Sequence, residues 1–231
     1  MKDVLRTERK FLLNMAEAKL LEARLNAVLH RDVHAGFDGY QVRSLYFDTA
    51  DDQDYFEKAA GLELRRKLRL RIYSPQDTCA FLEMKQKQGA YQHKRSLKVT
   101  REDAQLLIRG DYSPLLHYKE PFAAECYGLM QTRFYRPVTI VEYNRIPFVV
   151  PENQTRITLD SRIQSTESSF DLFSDRLNMN PVMELSDTVL EVKFNGFLLS
   201  YVQDLLNAVE KAETSVSKYV LARQNAFLTR L

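Results

Sequence analysis

The sequence predicts an α+β fold in which antiparallel strands close into a β-tunnel with a charged interior and helices packed on the outside. Residues 62–73 read LELRRKLRLRIY. A strand's period of two puts Leu64, Leu68, Leu70 and Ile72 on one face and Arg65, Lys67, Arg69 and Arg71 on the other. Later runs repeat the split: Glu83, Lys85 and Lys87 share a face in CAFLEMKQK, Lys94 and Lys98 in YQHKRSLK, and Glu191 and Lys193 in VLEVKF. Arg6, Glu8 and Lys10 in VLRTERKFLL, Tyr143 and Arg145 in TIVEYNRIPF, and Arg156, Thr158 and Asp160 in TRITLD extend it to seven strands. Like charges side by side repel, so the basic row requires compensation by water, acidic side chains or a polyanion.

The elements follow from turn and cap signals. After the first strand, Asn14 with Glu17 forms a capping box that opens a helix to about His30, with Leu20, Leu21, Leu25, Val28 and Leu29 as its apolar stripe. YQVRSLYFD is the second strand, and the polar stretch DDQDYFEKAAG leads to the basic strand. A hairpin at SPQD, the Glu83 strand, a turn at Gln88-Gly89 and the Lys94 strand complete an antiparallel meander. Thr100 with Asp103 starts a helix, and Ser113-Pro114 starts a helical region ending near Arg133. Strands resume from Thr139 to Arg162, a last strand spans Pro181 to Phe194, and helices over about 197–212 and 218–229 close the chain.

A chain of 231 residues that is 45% hydrophobic has ample material for a core, and a single domain over 1–231 is expected. The net charge is only +2, with 31 acidic residues, so the basic groups are local and a non-specific nucleic-acid coat is excluded. Aromatic interleaving for base stacking is limited to Tyr73 and Tyr143, which argues against nucleic acid as a partner. Cys79 and Cys126 lie far apart, without metal-ligand spacing, and read as inert thiols in a reducing compartment. No run approaches the roughly 20 apolar residues that span a bilayer, and MKDVLRTERK lacks the apolar centre of a signal peptide. A cytoplasmic protein without direct membrane insertion is expected, with any membrane association made through a partner protein.

Patterning alone leaves alternatives. A basic row also protects an exposed sheet edge, and apolar faces can pair as a sandwich with their charges in water. The tunnel accounts for more of the pattern: its lining would hold Arg6, Lys10, Arg65, Lys67, Arg69, Arg71, Lys85, Lys87, Lys94, Arg145, Arg156 and Lys193 against Glu8, Glu83, Asp160 and Glu191. Enclosed charge of one sign needs a counterion, and a chain of phosphates has the matching linear form.

Arg6-Thr7-Glu8-Arg9-Lys10-Phe11, VRSLYFDT (42–49), Gly61 with Arg69-Leu70-Arg71-Ile72-Tyr73, Leu82-Glu83-Met84-Lys85, Tyr143-Asn144-Arg145, Arg156-Ile157-Thr158-Leu159-Asp160, Leu190-Glu191-Val192-Lys193 and Ser217-Lys218-Tyr219 follow one another in order. Together they resemble the VTC domain, the polyphosphate polymerase module of the vacuolar transporter chaperone complex, within the triphosphate tunnel (CYTH-like) superfamily. The resemblance implies a closed tunnel that takes ATP or another triphosphate and adds its terminal phosphate to inorganic polyphosphate, with Mn²⁺ or Mg²⁺. It also implies that Lys10, Arg69, Arg71, Lys85, Lys94, Tyr143, Arg145 and Lys218 contact phosphate, that Ser217 assists Lys218, and that Glu191 binds metal. Triphosphatases of this superfamily open on Glu-x-Glu-x-Lys; here Arg6 stands at the first glutamate position, ahead of Glu8 and Lys10. That change favours phosphate binding over metal-activated water. Hydrolysis of inorganic triphosphate or nucleotide, and a non-catalytic polyphosphate-binding module, are the alternatives.

Overall fold

The computed structural model describes residues 6–36, 38–89 and 91–229, with the side chains of Arg6, Tyr91 and residues 227–229 left out. In chain order the elements are β1 (Arg6–Leu13), α1 (Met15–Val28), β2 (His30–Arg31), β3 (Tyr40–Asp48), α2 (Gln53–Ala59), β4 (Leu64–Ile72), β5 (Cys79–Gln88) and β6 (Tyr91–Thr100). There follow α3 (Arg101–Ile108), a 3-10 turn (Ser113–His117), α4 (Pro121–Thr132), β7 (Arg136–Val150), β8 (Thr155–Thr166) and β9 (Asn180–Pro181). The last elements are β10 (Thr188–Asn195), α5 (Ser200–Leu206), β11 (Ala212–Glu213) and α6 (Lys218–Thr229).

Local signals account for most of these boundaries. The Asn14 side chain accepts from the Glu17 amide at 2.9 Å and Glu17 returns the favour to the Asn14 amide at 2.8 Å, the capping box read from the sequence. Thr100 caps α3 by accepting from the Asp103 amide. The polar stretch after β3 folds into α2, whose start is held from outside: Asp48 accepts the amides of Asp54 and Tyr55, and Thr49 Oγ1 accepts that of Gln53. The expected strand from Pro181 is shorter at its start, because only Thr188–Asn195 pairs along β1 and β8.

The chain divides into two compact units. The first takes Met1–Gln41, Tyr143–Ile163 and Met183–Ser217, and the second takes Val42–Glu142, Gln164–Val182 and Lys218–Leu231. Strand order is β11-β1-β10-β8-β7-β3-β4-β5-β6, with β2 on β7 and β9 on β8, and every registered pair is antiparallel. Among the described residues that order is linear, so the structure establishes an antiparallel sheet with helices and not the closed ring of strands expected from the pattern.

Each unit has its own core. In the first, Phe11 and Leu13 of β1, Ile157 and Leu159 of β8, and Leu190, Val192 and Phe194 of β10 pack on Ala18, Leu21 and Leu25 of α1 and on Val202 and Leu206 of α5. In the second, Leu45, Phe47, Leu68, Leu70, Ile72, Leu82, Met84, Leu97 and Val99 pack on α3 and α4 through Ala104, Leu107, Ala123, Cys126 and Met130. Leu64 departs from the expected apolar face: it pairs with Gln88 beside the β5–β6 turn, beyond the end of this core, and is 65% exposed. Burial pushes the Cys126 thiol up to about 12, so it is un-ionised near neutrality.

Candidate phosphate-binding faces

The apolar faces of both units are spoken for by helices, which leaves the opposite face of each sheet to carry the charge. In the second unit the register aligns Arg65, Lys67, Arg69 and Arg71 of β4 with Lys87, Lys85, Glu83 and Phe81 of β5, and these with Gln92, Lys94, Ser96 and Lys98 of β6. Direct cross-strand partners share a face, so eight cations flank one acid, Glu83. That carboxylate is buried and is approached by Arg69 at 2.7 Å, by Arg71 at 3.8 Å and by Lys94. Burial alone would raise the Glu83 carboxyl, but Arg69, Arg71 and Lys94 outweigh it and hold it down at about 2. Burial and the two arginines lower the Lys94 ammonium, against the opposing pull of Glu83.

Around this centre the other cations have distinct partners. The Arg69 guanidinium also donates to the Tyr46 hydroxyl at 3.1 Å, and Arg71 Nε donates to Ser44 Oγ at 3.3 Å. Lys67 lies 6.0 Å over the Tyr219 ring. Arg65 instead donates to the carbonyl oxygens of Gly61 and Leu62, fastening the loop ahead of its own strand. Lys85 and Lys87 stand half-buried in the same rows.

α6 does not pack on an apolar face as the sequence suggested for all helices. Its Tyr219 stacks on Tyr46 with ring centroids 4.9 Å apart, on the charged face, and donates its hydroxyl to the buried Asp48. Arg223 on the same helix pairs with Asp52 at 2.7 Å and Glu167 at 2.5 Å. These contacts hold Tyr219, in the first turn of α6, beside Tyr46 and Lys67; Lys218 precedes it in that turn. Ser217, next to it in sequence, is buried in the first unit. Burial, then the charge of Asp48, pushes the Asp54 carboxyl up to about 7, while its hydrogen bond from Tyr135 and the charge of Arg66 pull the other way.

The charged face of the first unit is balanced instead of basic. Register places Glu8 opposite Lys193 and Lys10 opposite Glu191, with Thr158 and Arg156 of β8 beyond them. Lys10 pairs with Glu8 at 3.2 Å and donates to the Val216 carbonyl at 3.0 Å. Lys193 touches both Glu191 and Glu8. Arg145 grips Asp160 with two bonds of 2.7 Å, lies 5.2 Å from the Tyr143 ring centroid, and comes within 3.9 Å of Glu191. Burial opposes the Arg145 charge, but Asp160, then Tyr143 and Glu191, hold its guanidinium well above the ordinary range. Arg156 donates to the Tyr40 hydroxyl and pairs with Asp32, both at 3.0 Å. Arg6 opens β1, its side chain lying outside the described residues.

The structure thus gathers Arg69, Arg71, Lys94 and Glu83 at one centre, and Glu8, Lys10, Lys193, Glu191 and Arg145 at another. Tyr46, Asp48 and Tyr219 join these centres although the sequence reading gave none of them a site role, while Thr158 and Asp160, read from the sequence only as part of a charged strand face, join the second. One signal for the first two was available: Ser44, Tyr46 and Asp48 alternate along the second strand.

The donor set fits a hard divalent cation in part. Glu191 and Glu8 offer carboxylate oxygens on one face, and Thr158 Oγ1, opposite Glu191, is buried without a hydrogen-bond partner. Among the described residues no group of three or more His, Cys, Asp or Glu side chains gathers around one point, so such a cation would take further oxygens from phosphate or water.

Among solved structures the chain is similar to a candidate adenylyl cyclase from Hippeastrum, described as having a dominant triphosphatase activity: 14% identity, 95% of this chain and 96% of that one covered, TM-score 0.55. It is also similar to a candidate adenylate cyclase from Bacillus halodurans, at 15% identity, 93% and 95% coverage and a TM-score of 0.53. Likenesses at such identity speak for the fold alone. Residues 5–227 match the VTC domain, nearly the whole sequence, and the chain belongs to that family. No curated protein matches it.

Proposed function

We propose that this chain is a polyphosphate polymerase that transfers the terminal phosphate of ATP to inorganic polyphosphate, with residues 1–231 acting as one domain. The observation that carries the reading is the basic face of β4, β5 and β6, where Arg69, Arg71 and Lys94 converge on one buried carboxylate. Membership of the VTC domain family supports it. The same reading assigns phosphate contacts to Lys10, Lys85, Tyr143, Arg145 and Lys218, and metal binding to Glu191.

Transfer between phosphates calls for positioning and charge neutralisation more than for proton transfer, because the acceptor oxygen is already ionised near neutral pH. The planar guanidinium groups of Arg69 and Arg71 bind phosphate oxygens in pairs, and Lys67, Lys85 and Lys94 act as point charges along the neighbouring strands. A mixed row grips the chain at fixed points and still lets it advance. Mn²⁺ or Mg²⁺, when bound, neutralises charge on the transferring phosphate. Glu191 is the ligand this chain offers it, and Arg145, anchored by Asp160, is the cation beside that ligand.

Purified protein with ATP and Mn²⁺ should give ADP and long polyphosphate in matched amounts, and Arg69→Ala should cut turnover by at least about a hundredfold, as loss of a transition-state charge contact does. Wild-type turnover in that variant would overturn the site. ADP with free phosphate alone would favour the second reading, triphosphate hydrolysis, which the activity described for the Hippeastrum protein supports. Polyphosphate binding without nucleotide turnover would leave a binding module, and a membrane-protein partner would then be the object to seek.

A further inference from the structure

In the first unit the two carboxylates best able to hold a divalent cation share a lysine. Lys193 Nζ contacts a Glu191 oxygen directly and lies 3.9 Å from Glu8 Oε2. The arrangement is fixed by register: β10 sets Glu191 and Lys193 two residues apart on one face, and β1 sets Glu8 directly opposite Lys193. Lys10 approaches Glu8 from the other side at 3.2 Å, so Glu8 keeps a cationic partner if Lys193 withdraws. Glu191 likewise keeps Arg145, at 3.9 Å.

We infer that Lys193 is a built-in competitor for the divalent cation: its ammonium bridges Glu8 and Glu191, and cation binding by those carboxylates requires the ammonium to leave. A unit positive charge and a divalent ion cannot both sit against the same carboxylate oxygens without strong repulsion, since the energy scales with the product of the charges and inversely with a separation of only a few ångströms. Lys193 is partly exposed, on a flexible stem, and has the freedom to swing away. Thr158, whose buried hydroxyl lacks a partner opposite Glu191, offers a neutral oxygen that becomes useful when the ammonium is replaced by a metal ion. The consequence is a site that binds its cation weakly alone and more tightly when phosphate oxygens complete the shell and draw the lysine to themselves. The site then loads with metal and substrate together.

The inference rests on the metal use in the proposed function, but its test needs no turnover. Mn²⁺ is titrated into the full chain without nucleotide, by calorimetry and by the loss of the free-ion paramagnetic signal. Lys193→Met is expected to bind Mn²⁺ at least about tenfold more tightly than the wild type, the scale of removing a unit charge from beside a divalent ion even in a watery medium. Lys193→Arg should stay as weak as the wild type, and adding Glu191→Gln to Lys193→Met should abolish the gain. If Lys193→Met folds poorly, Mn²⁺ should raise its melting temperature more than it raises that of the wild type. Unchanged or weaker Mn²⁺ binding by a folded Lys193→Met, or equal gains for Met and Arg, overturns the inference. Absence of polymer synthesis alongside tighter Mn²⁺ binding would instead remove the polymerase reading and leave this one standing.

Discussion

Glu83 and Asp54 are both buried carboxyls of the second unit, and their surroundings drive them in opposite directions. Glu83 sits among Arg69, Arg71 and Lys94, which hold it down at about 2. Its charge therefore favours the folded state fully above the ordinary value of 4.5, and that contribution is lost as pH falls towards about 2. Asp54 is buried against Asp48 and raised to about 7, so the folded state holds its proton. Its contribution is complete below the ordinary 3.8 and is lost as pH rises through about 7. The melting temperature should accordingly fall by several degrees between about pH 4 and pH 8, at roughly 2–4 °C per kcal/mol for a chain of this size. Asp54→Asn should flatten that fall in calorimetry across a pH series; an unchanged slope would show that other groups set it. At Gly39, φ is +79°, and an added Cβ would run into the Arg145 carbonyl, so only glycine lets this loop pass close to the strand that carries Arg145.

Helix α6 shows how an element of modest apolar character is fixed by a few specific contacts. Tyr219 and Arg223 tie it to Asp48, Asp52 and Glu167. Tyr219→Phe keeps the stacking on Tyr46 and removes one donor to the Asp48 carboxylate, which still accepts the amides of Thr49, Asp54 and Tyr55. The expected cost is about 1.5–3 kcal/mol, the range for a hydrogen bond to a charged group. Hydrogen exchange should accelerate in α6 and in α2, because Asp48 holds both; acceleration confined to α6 would show that α2 does not depend on the tyrosine. α2 itself was read as a polar stretch because its capping groups, Asp48 and Thr49, belong to the end of the preceding strand and not to its own first turn.

For the molecule as a whole, a net charge of +2 conceals the local excess on β4, β5 and β6. Tripolyphosphate, which needs no metal to be attracted there, should raise the melting temperature; binding at a hundred times its dissociation constant adds about 2.7 kcal/mol. The shift should shrink as salt is raised from about 0.05 to 0.5 M, because screening shortens the reach of the cationic face. A salt-independent shift would point to apolar recognition elsewhere. Among the described residues no helix is long and apolar enough to cross a membrane.

The sequence by itself determined the longer strands, their two-faced character and the caps of α1 and α3, because each depends on residues two to four positions apart. Arg69 and Arg71 on one side and Leu68 and Leu70 on the other follow from the geometry of a strand alone. Only the tertiary structure decided which charges compensate which. Arg69 and Glu83 are fourteen residues apart and meet through strand register, and so do Glu8 and Lys193 across most of the chain. It also decided that Leu64 lies past the end of the core, that α2 forms on Asp48, and that α6 rests on the charged face through Tyr219. Periodicity reports which face a side chain takes; burial and pairing depend on what the rest of the chain brings to that face.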